Sequence, residues 1–194
     1  MNKALSALFL IVFLLTGCSS MRVVDSQVNS FAPARVPEGS RYRFERLPSQ
    51  QSNAAVQDQL EAMAEEALAK VGLVHDDQTA AFSVQVSATQ RVQQDVWDYP
   101  ARGWNSGWMM GNGGFALGRG AMFPGLGMRT SYWREVGLIM RDSASQAVVF
   151  ESRATNDGPW SDSDAVLPAM LDAALQGFPE PPTGVRRVNI EIAR

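Results

Sequence analysis

The chain has 194 residues, 17 basic and 20 acidic, for a net charge of −3, with one cysteine and one histidine. That balance lacks the cationic bias of a nucleic-acid-binding protein. A lone cysteine excludes an intrachain disulfide, and a lone histidine leaves little scope for zinc chemistry.

The first segment joins Lys3 to an apolar run, Ala4–Leu15, and ends Leu15-Thr16-Gly17-Cys18. A positive residue before a short apolar core is the layout of a secretory signal. The run is too short to cross a bilayer, which takes about 20 residues. With cysteine at the cleavage position, the segment resembles the bacterial lipobox. The resemblance implies cleavage before Cys18 and acylation of Cys18, so residues 1–17 are expected to be a signal peptide and 18–21 a lipidated N-terminus with a short tether. Each buried methylene contributes about 0.8 kcal/mol, so several acyl chains make the anchor permanent. Ser19 lacks the aspartate that retains such proteins in the inner membrane of enteric bacteria, which implies delivery to the outer membrane, facing the periplasm. Removing residues 1–17 leaves 177 residues, 16 basic and 20 acidic, a suitable length for one domain with a real core.

Arg22–Val28 alternates and reads as a first strand, close enough to Cys18 to hold the domain near the bilayer. Pro37-Glu38-Gly39 marks a turn. Arg41–Leu47 reads as a short second strand, with Tyr42, Phe44 and Arg46 on one side. Val56, Leu60, Met63, Ala64, Ala67, Leu68 and Val71 follow helical spacing. This predicts a helix from about Ala54 to Val71, capped by Ser52 or Asn53 and closed by Gly72. The period then changes to two: Phe82, Val84, Val86, Ala88, Val92 and Val96 lie on one face of a strand. Thr130–Arg141 forms another, with Tyr132, Val136, Leu138 and Met140 inward. After the Asp142–Ser145 turn, Ala147–Thr155 is its hairpin partner, with Val148, Phe150 and Ala154 inward. A second helix carries Val166, Met170, Leu171, Ala174, Leu175 and Phe178. With Asp164 as its cap, Pro168 falls in the first turn, where no donor is lost. Val188, Ile190 and Ile192 suggest a last strand. The expected fold is α+β within 22–194: an antiparallel sheet with two helices packed on one face, in the order ββ-α-βββ-α-β.

The segment from about 98 to 130 breaks the pattern. Between Trp97 and Trp133 lie nine glycines and four methionines, and the charges from 99 to 134 are all arginine. Two readings stay open. One is a hairpin loop with Trp97 and Trp133 as cross-strand neighbours at its base. The other is an apolar, cationic contact with lipid headgroups or a protein partner, carried by Arg102, Trp104, Trp108, Arg119 and Phe123, since tryptophan suits membrane interfaces.

Chemistry-bearing motifs are sparse. Gly111-Asn112-Gly113-Gly114 and Gly125-Leu126-Gly127 precede no helix and lack the Gly-Lys-Ser/Thr ending of a phosphate loop. Any Ser-His-Asp triad must use His75, and no Gly-x-Ser-x-Gly elbow exists. Asp157, Asp162 and Asp164 lack calcium-loop spacing, and helix capping accounts for the last two.

The order of these elements resembles the bacterial lipoprotein family catalogued as domain of unknown function 4136. The resemblance runs through Arg41-Tyr42-Arg43-Phe44, Ala67–Leu73, Ala81–Ser87, Thr130–Asp142, Val148–Ala154 and Gly177-Phe178-Pro179. It implies no catalytic residue, cofactor or known ligand. The expected function is a non-enzymatic envelope lipoprotein that binds a protein or lipid component. The alternatives are an auxiliary subunit of a lipid-transport or envelope-assembly machine and, more distantly, a hydrolase. The expected partners are the membrane, through the N-terminal lipid, and an envelope protein, with no nucleic acid.

Overall fold

A computed structural model describes residues 21–96 and 128–193, with 94–96 and 128–129 described by backbone alone. Among the described residues, seven strands form one sheet: β1 (Met21–Phe31), β2 (Arg41–Phe44), β3 (Val74–His75), β4 (Phe82–Val96), β5 (Met128–Asp142), β6 (Val148–Gly158) and β7 (Val185–Ala193). The described residues also form three helices: α1 (Pro48–Gln51), α2 (Ala54–Lys70) and α3 (Ser163–Leu175). The spatial order is β3-β2-β4-β5-β6-β1-β7.

The sheet is mixed rather than antiparallel throughout. From β4 to β7 every pairing is antiparallel, whereas β2 runs parallel to both β3 and β4. The cause is the connection: α2 carries the chain from β2 over the sheet, and a crossover of that kind returns a parallel strand. β3 and α1 add to the expected elements; at two and four residues respectively they are too short to produce a periodic signal.

The core lies between the sheet and its helices. Val24, Val28, Val84, Val86, Val136, Leu138, Met140, Phe150 and Ala154 are buried on the sheet, opposite Leu60, Ala64 and Leu68 of α2 and Val166, Met170 and Leu171 of α3. Small side chains bring α3 close: Ser152 Oγ donates to the Ala174 carbonyl at 2.7 Å and bonds Ser30 Oγ at 2.9 Å. Gly137 sits where a Cβ would lie 2.8 Å from Ser87 Oγ.

Several local expectations change. α2 turns Gln57 and Glu61 inward and leaves Val56 58% exposed. The inward pair has a purpose, because Arg46 of the β2–α1 connection grips Glu61 through Nε at 2.7 Å and Nη2 at 2.5 Å. Asn53 occupies the N-cap without a side-chain cap bond, and Ser52 Oγ donates instead to the Ser49 carbonyl of α1. Gly72 has φ of +83°, as a helix-ending glycine should. In β6 the register shifts at Met140/Arg141, so the extra residue Val149 is buried and Val148 is only half-buried. α3 begins at Ser163 with Asp162 at the cap, so Pro168 lies inside the helix and removes the bond its N–H would make to the Asp164 carbonyl. Beyond Val86, β4 leaves the core, and Val92 is 56% exposed.

Two substitutions in α2 check which stripe is buried. Leu68→Ala should cost about 2–5 kcal/mol, whereas Val56→Ala should stay within about 0.5 kcal/mol of the parent, both read from urea unfolding midpoints.

Candidate functional site at one end of the sheet

The strand registers place four strand ends at one height. Gln27 pairs with Thr155, Thr155 with Glu135, and Glu135 with Thr89. Six residues back from Gln27 is Met21; six residues along from the same rung are Arg129 on β5 and Asp95 on β4. Met21 itself pairs with Ala193. The start of β1, the end of β4, the start of β5 and the end of β7 therefore share one end of the sheet. Cys18 is three residues before Met21, a reach of about 11 Å, and residues 97–127 join Val96 to Met128 at the same end.

Cys18, Arg102, Trp104, Trp108, Arg119 and Phe123 all lie outside the described residues, as does Trp97. Trp133 is described, and its partner across the ladder is Arg91, whose guanidinium carbon stands 5.1 Å from the ring centroid. The strands continue to Val96 and Met128, so Trp133 sits well inside the hairpin rather than at the loop's base.

Beneath this end, on the helix side, is a polar cluster that periodicity alone does not announce. Arg22 forms a two-pronged ion pair with Asp162, at 2.9 Å through Nη1 and 2.5 Å through Nη2, and its guanidinium lies 5.2 Å from the Trp160 ring centroid. Arg134 is fully buried. Its Nε donates to Ser163 Oγ at 3.0 Å and its Nη2 to the Trp160 carbonyl at 2.6 Å, while Ser163 Oγ donates to Gln90 Oε1 at 2.5 Å. Asn156 Nδ2 donates to the Asp25 carbonyl at 2.7 Å. Period-two alternation explains the placement: Arg22 is in phase with Val24 and Arg134 with Val136, so both face the core. Arg22 holds the Asp162 carboxyl below its ordinary range, chiefly by hydrogen bonding, and burial pushes the Arg134 guanidinium down. The two arginines pin the start of α3 to the sheet, and the Asp162 carboxylate serves Arg22 rather than a cap.

Elsewhere the chemistry is limited. His75 stacks on Tyr42 at 5.4 Å, with Nδ1 at 3.5 Å from Glu65 and Nε2 at 3.3 Å from Asp77. Both ring nitrogens thus face carboxylates. Among the described residues no group of three or more His, Cys, Asp or Glu side chains could hold a metal, and no helix is long and apolar enough to cross a membrane. A groove of about 350 Å³ runs between α2 and α3 past Ser87 and Ala88.

The family model described as "Domain of unknown function (DUF4136)" matches residues 25–180. The chain belongs to the DUF4136 family. The matched DUF4136 region holds Asp162, Arg134 and both long helices; Cys18, Arg22 and β7 lie outside it. Among solved structures, a PDZ domain protein from Parabacteroides distasonis has TM-score 0.52 at 12% identity, covering 97% of this chain and 42% of that one. The chain thus spans under half of that protein, and the likeness is one of fold. Two structures of the PelC dodecamer from Paraburkholderia phytofirmans also match. A form with a single leucine-to-methionine substitution has 15% identity and TM-score 0.44, covering 77% of this chain and 94% of that one; the other has 14% and 0.46, covering 80% and 99%. Comparison with curated proteins yields no match.

The clamp makes a signed prediction. Asp162 titrates lower in the folded chain than its unfolded value of about 3.9, so its contribution is present above that value and is lost as pH falls through the folded one. Asp162→Asn should lower the melting temperature at pH 6, and the gap from wild type should close as pH falls below about 4. A gap that widens in acid contradicts the clamp.

Proposed function

We propose that this DUF4136 protein is a non-enzymatic lipoprotein of the bacterial envelope, anchored through Cys18. It presents the 97–127 segment to the membrane surface or to an envelope protein. The observation that carries this reading is the shared end of the sheet. Met21, which follows the lipobox cysteine so closely, is level with the ends of β4 and β5. An anchor at Cys18 brings Arg102, Trp104, Trp108, Arg119 and Phe123 toward the bilayer in sequence terms, with arginine for anionic headgroups and tryptophan for the interface. The surroundings of His75 support the non-enzymatic reading, since a catalytic base needs a ring nitrogen free for its nucleophile. Ser19 supports delivery to the outer membrane, facing the periplasm.

Metabolic labelling with palmitate tests the anchor. Wild type should incorporate label and band with the outer membrane on a sucrose gradient, whereas Cys18→Ala should remain unlabelled. Equal labelling of the two would refute lipidation at this residue.

A further inference from the structure

The described sheet ends in two open edges that match. One is the outer side of β7. The other is β4 beyond Val86. β2 pairs with β4 only as far as Val84, and the Val86 carbonyl is taken by the side chains of Gln50 at 2.7 Å and Gln57 at 3.3 Å. Among the described residues, no strand covers the outer side of Ala88–Val96. Unpaired edges of this length are templates for another strand.

The two edges agree in height, direction and hydrogen-bond phase. Gln27 pairs with Arg187 on one side and connects through Thr155 and Glu135 to Thr89 on the other, so Arg187 and Thr89 are level. Val185–Ala193 therefore spans the same height as Ser87–Asp95. Antiparallel steps from β4 through β5, β6 and β1 to β7 leave the two edges running the same way. The Val84 carbonyl accepts from the Glu45 N–H at 2.9 Å, so even-numbered residues of β4 direct their backbone groups outward. Alternation through the intervening ladders then makes the odd-numbered residues of β7 point outward. A parallel ladder needs each outward-bonding residue opposite one that bonds inward. Even residues of β4 are level with even residues of β7, so the condition is met with no shift along the strands.

We infer that copies of this chain associate head to tail, β7 of one copy pairing in parallel with Ala88–Val96 of the next. The occupant is another copy because the side chains fit as well. At this register exposed Val92 stands opposite Ile190, which is half-buried on the same face. Arg91 falls diagonal to Glu191 on the other face, both exposed. In one respect the inference rests on the anchoring read above: parallel pairing keeps every Met21 at the same end, as copies in one membrane require. Pairing β7 with β7 antiparallel sends the anchors to opposite ends. A head-to-tail contact that repeats without axial rise closes into a ring. Of the two edges, Ala88–Val96 lies within the family-matched residues 25–180 and β7 lies beyond them.

Cysteine crosslinking of the full lipidated chain in membranes tests this. Within one copy Val92 and Ile190 are four strand spacings apart, about 19 Å, too far for an internal disulfide. The double variant Val92→Cys/Ile190→Cys should give a ladder of dimers, trimers and larger species on oxidation, and neither single variant should crosslink. Dimers from Val92→Cys alone, dimers from Ile190→Cys alone, or no product from the double variant would overturn the inference. As a second measure, Asn189→Pro removes an N–H that faces outward and leaves the internal ladder whole. It should melt as wild type does and sediment as a monomer in mild detergent, where wild type sediments as an oligomer. A monomeric wild type overturns the inference too. Palmitate labelling is independent of both readouts, so loss of the ladder with labelling intact rejects the assembly and spares the anchor.

Discussion

Five neighbouring strands, from β4 through β5, β6 and β1 to β7, share one alternation of faces, interrupted at the bulge that adds Val149, and the rest of the molecule follows from it. A slip of one residue in any ladder would turn its whole apolar set to solvent. With Val24, Val84, Val136, Phe150 and Val188 all committed to the buried face, no slip is tolerated. The same constraint carries Arg22 and Arg134 to the buried face at one end. Two guanidinium groups there need partners, because an unpaired buried charge is costly. Asp162, Ser163 and the Trp160 carbonyl supply them, and in doing so they fix where α3 starts.

Much of this is legible in the sequence because the alternation is written residue by residue. The faces of β4 and β5 and the helix ending at Gly72 follow from local periodicity, and the family, marked in the sequence by a resemblance, is shown by the match over residues 25–180. The failures have definite causes. β3 is too short to show a period, and the alternation of β2 carries no sign of its direction, so the parallel part of the sheet, set by the α2 crossover, gives no local sign. Periodicity misplaces Val148 because a bulge adds a residue without changing composition. It misplaces Pro168 because Asp164 and Asp162 are equally good caps, and only the ion pair with Arg22 decides between them. Arg134 counts among the loop charges by composition, although its phase with Val136 and Leu138 is the available clue to its burial. Cys18 and the five loop residues proposed for membrane contact rest on the sequence, since they fall outside the described residues.

The structure adds direction to that sequence reading. The sequence reading proposes an anchor at Cys18 and a contact in the glycine-rich segment, with no sign of how the two are placed. The registers bring Met21, Val96 and Met128 out at one end, while the Asp142–Gln146 turn lies at the other. The open edges of β4 and β7 stand at that same height and run the same way. One geometric fact thus relates the proposed anchor, the proposed contact and the inferred assembly, and each can be tested without assuming the others.

The central claim is that the end bearing Val96 and Met128 faces the membrane holding Cys18. Its most direct measurement is lipid-borne quenching of a fluorophore on the acylated protein in proteoliposomes. One label is placed at Gln93→Cys, near that end, and another at Ser145→Cys, in the far turn. The two positions are separated by about 11 residue steps along the strands, or about 36 Å. The account predicts strong quenching at Gln93 and little at Ser145. Equal quenching, or the reverse order, would contradict it.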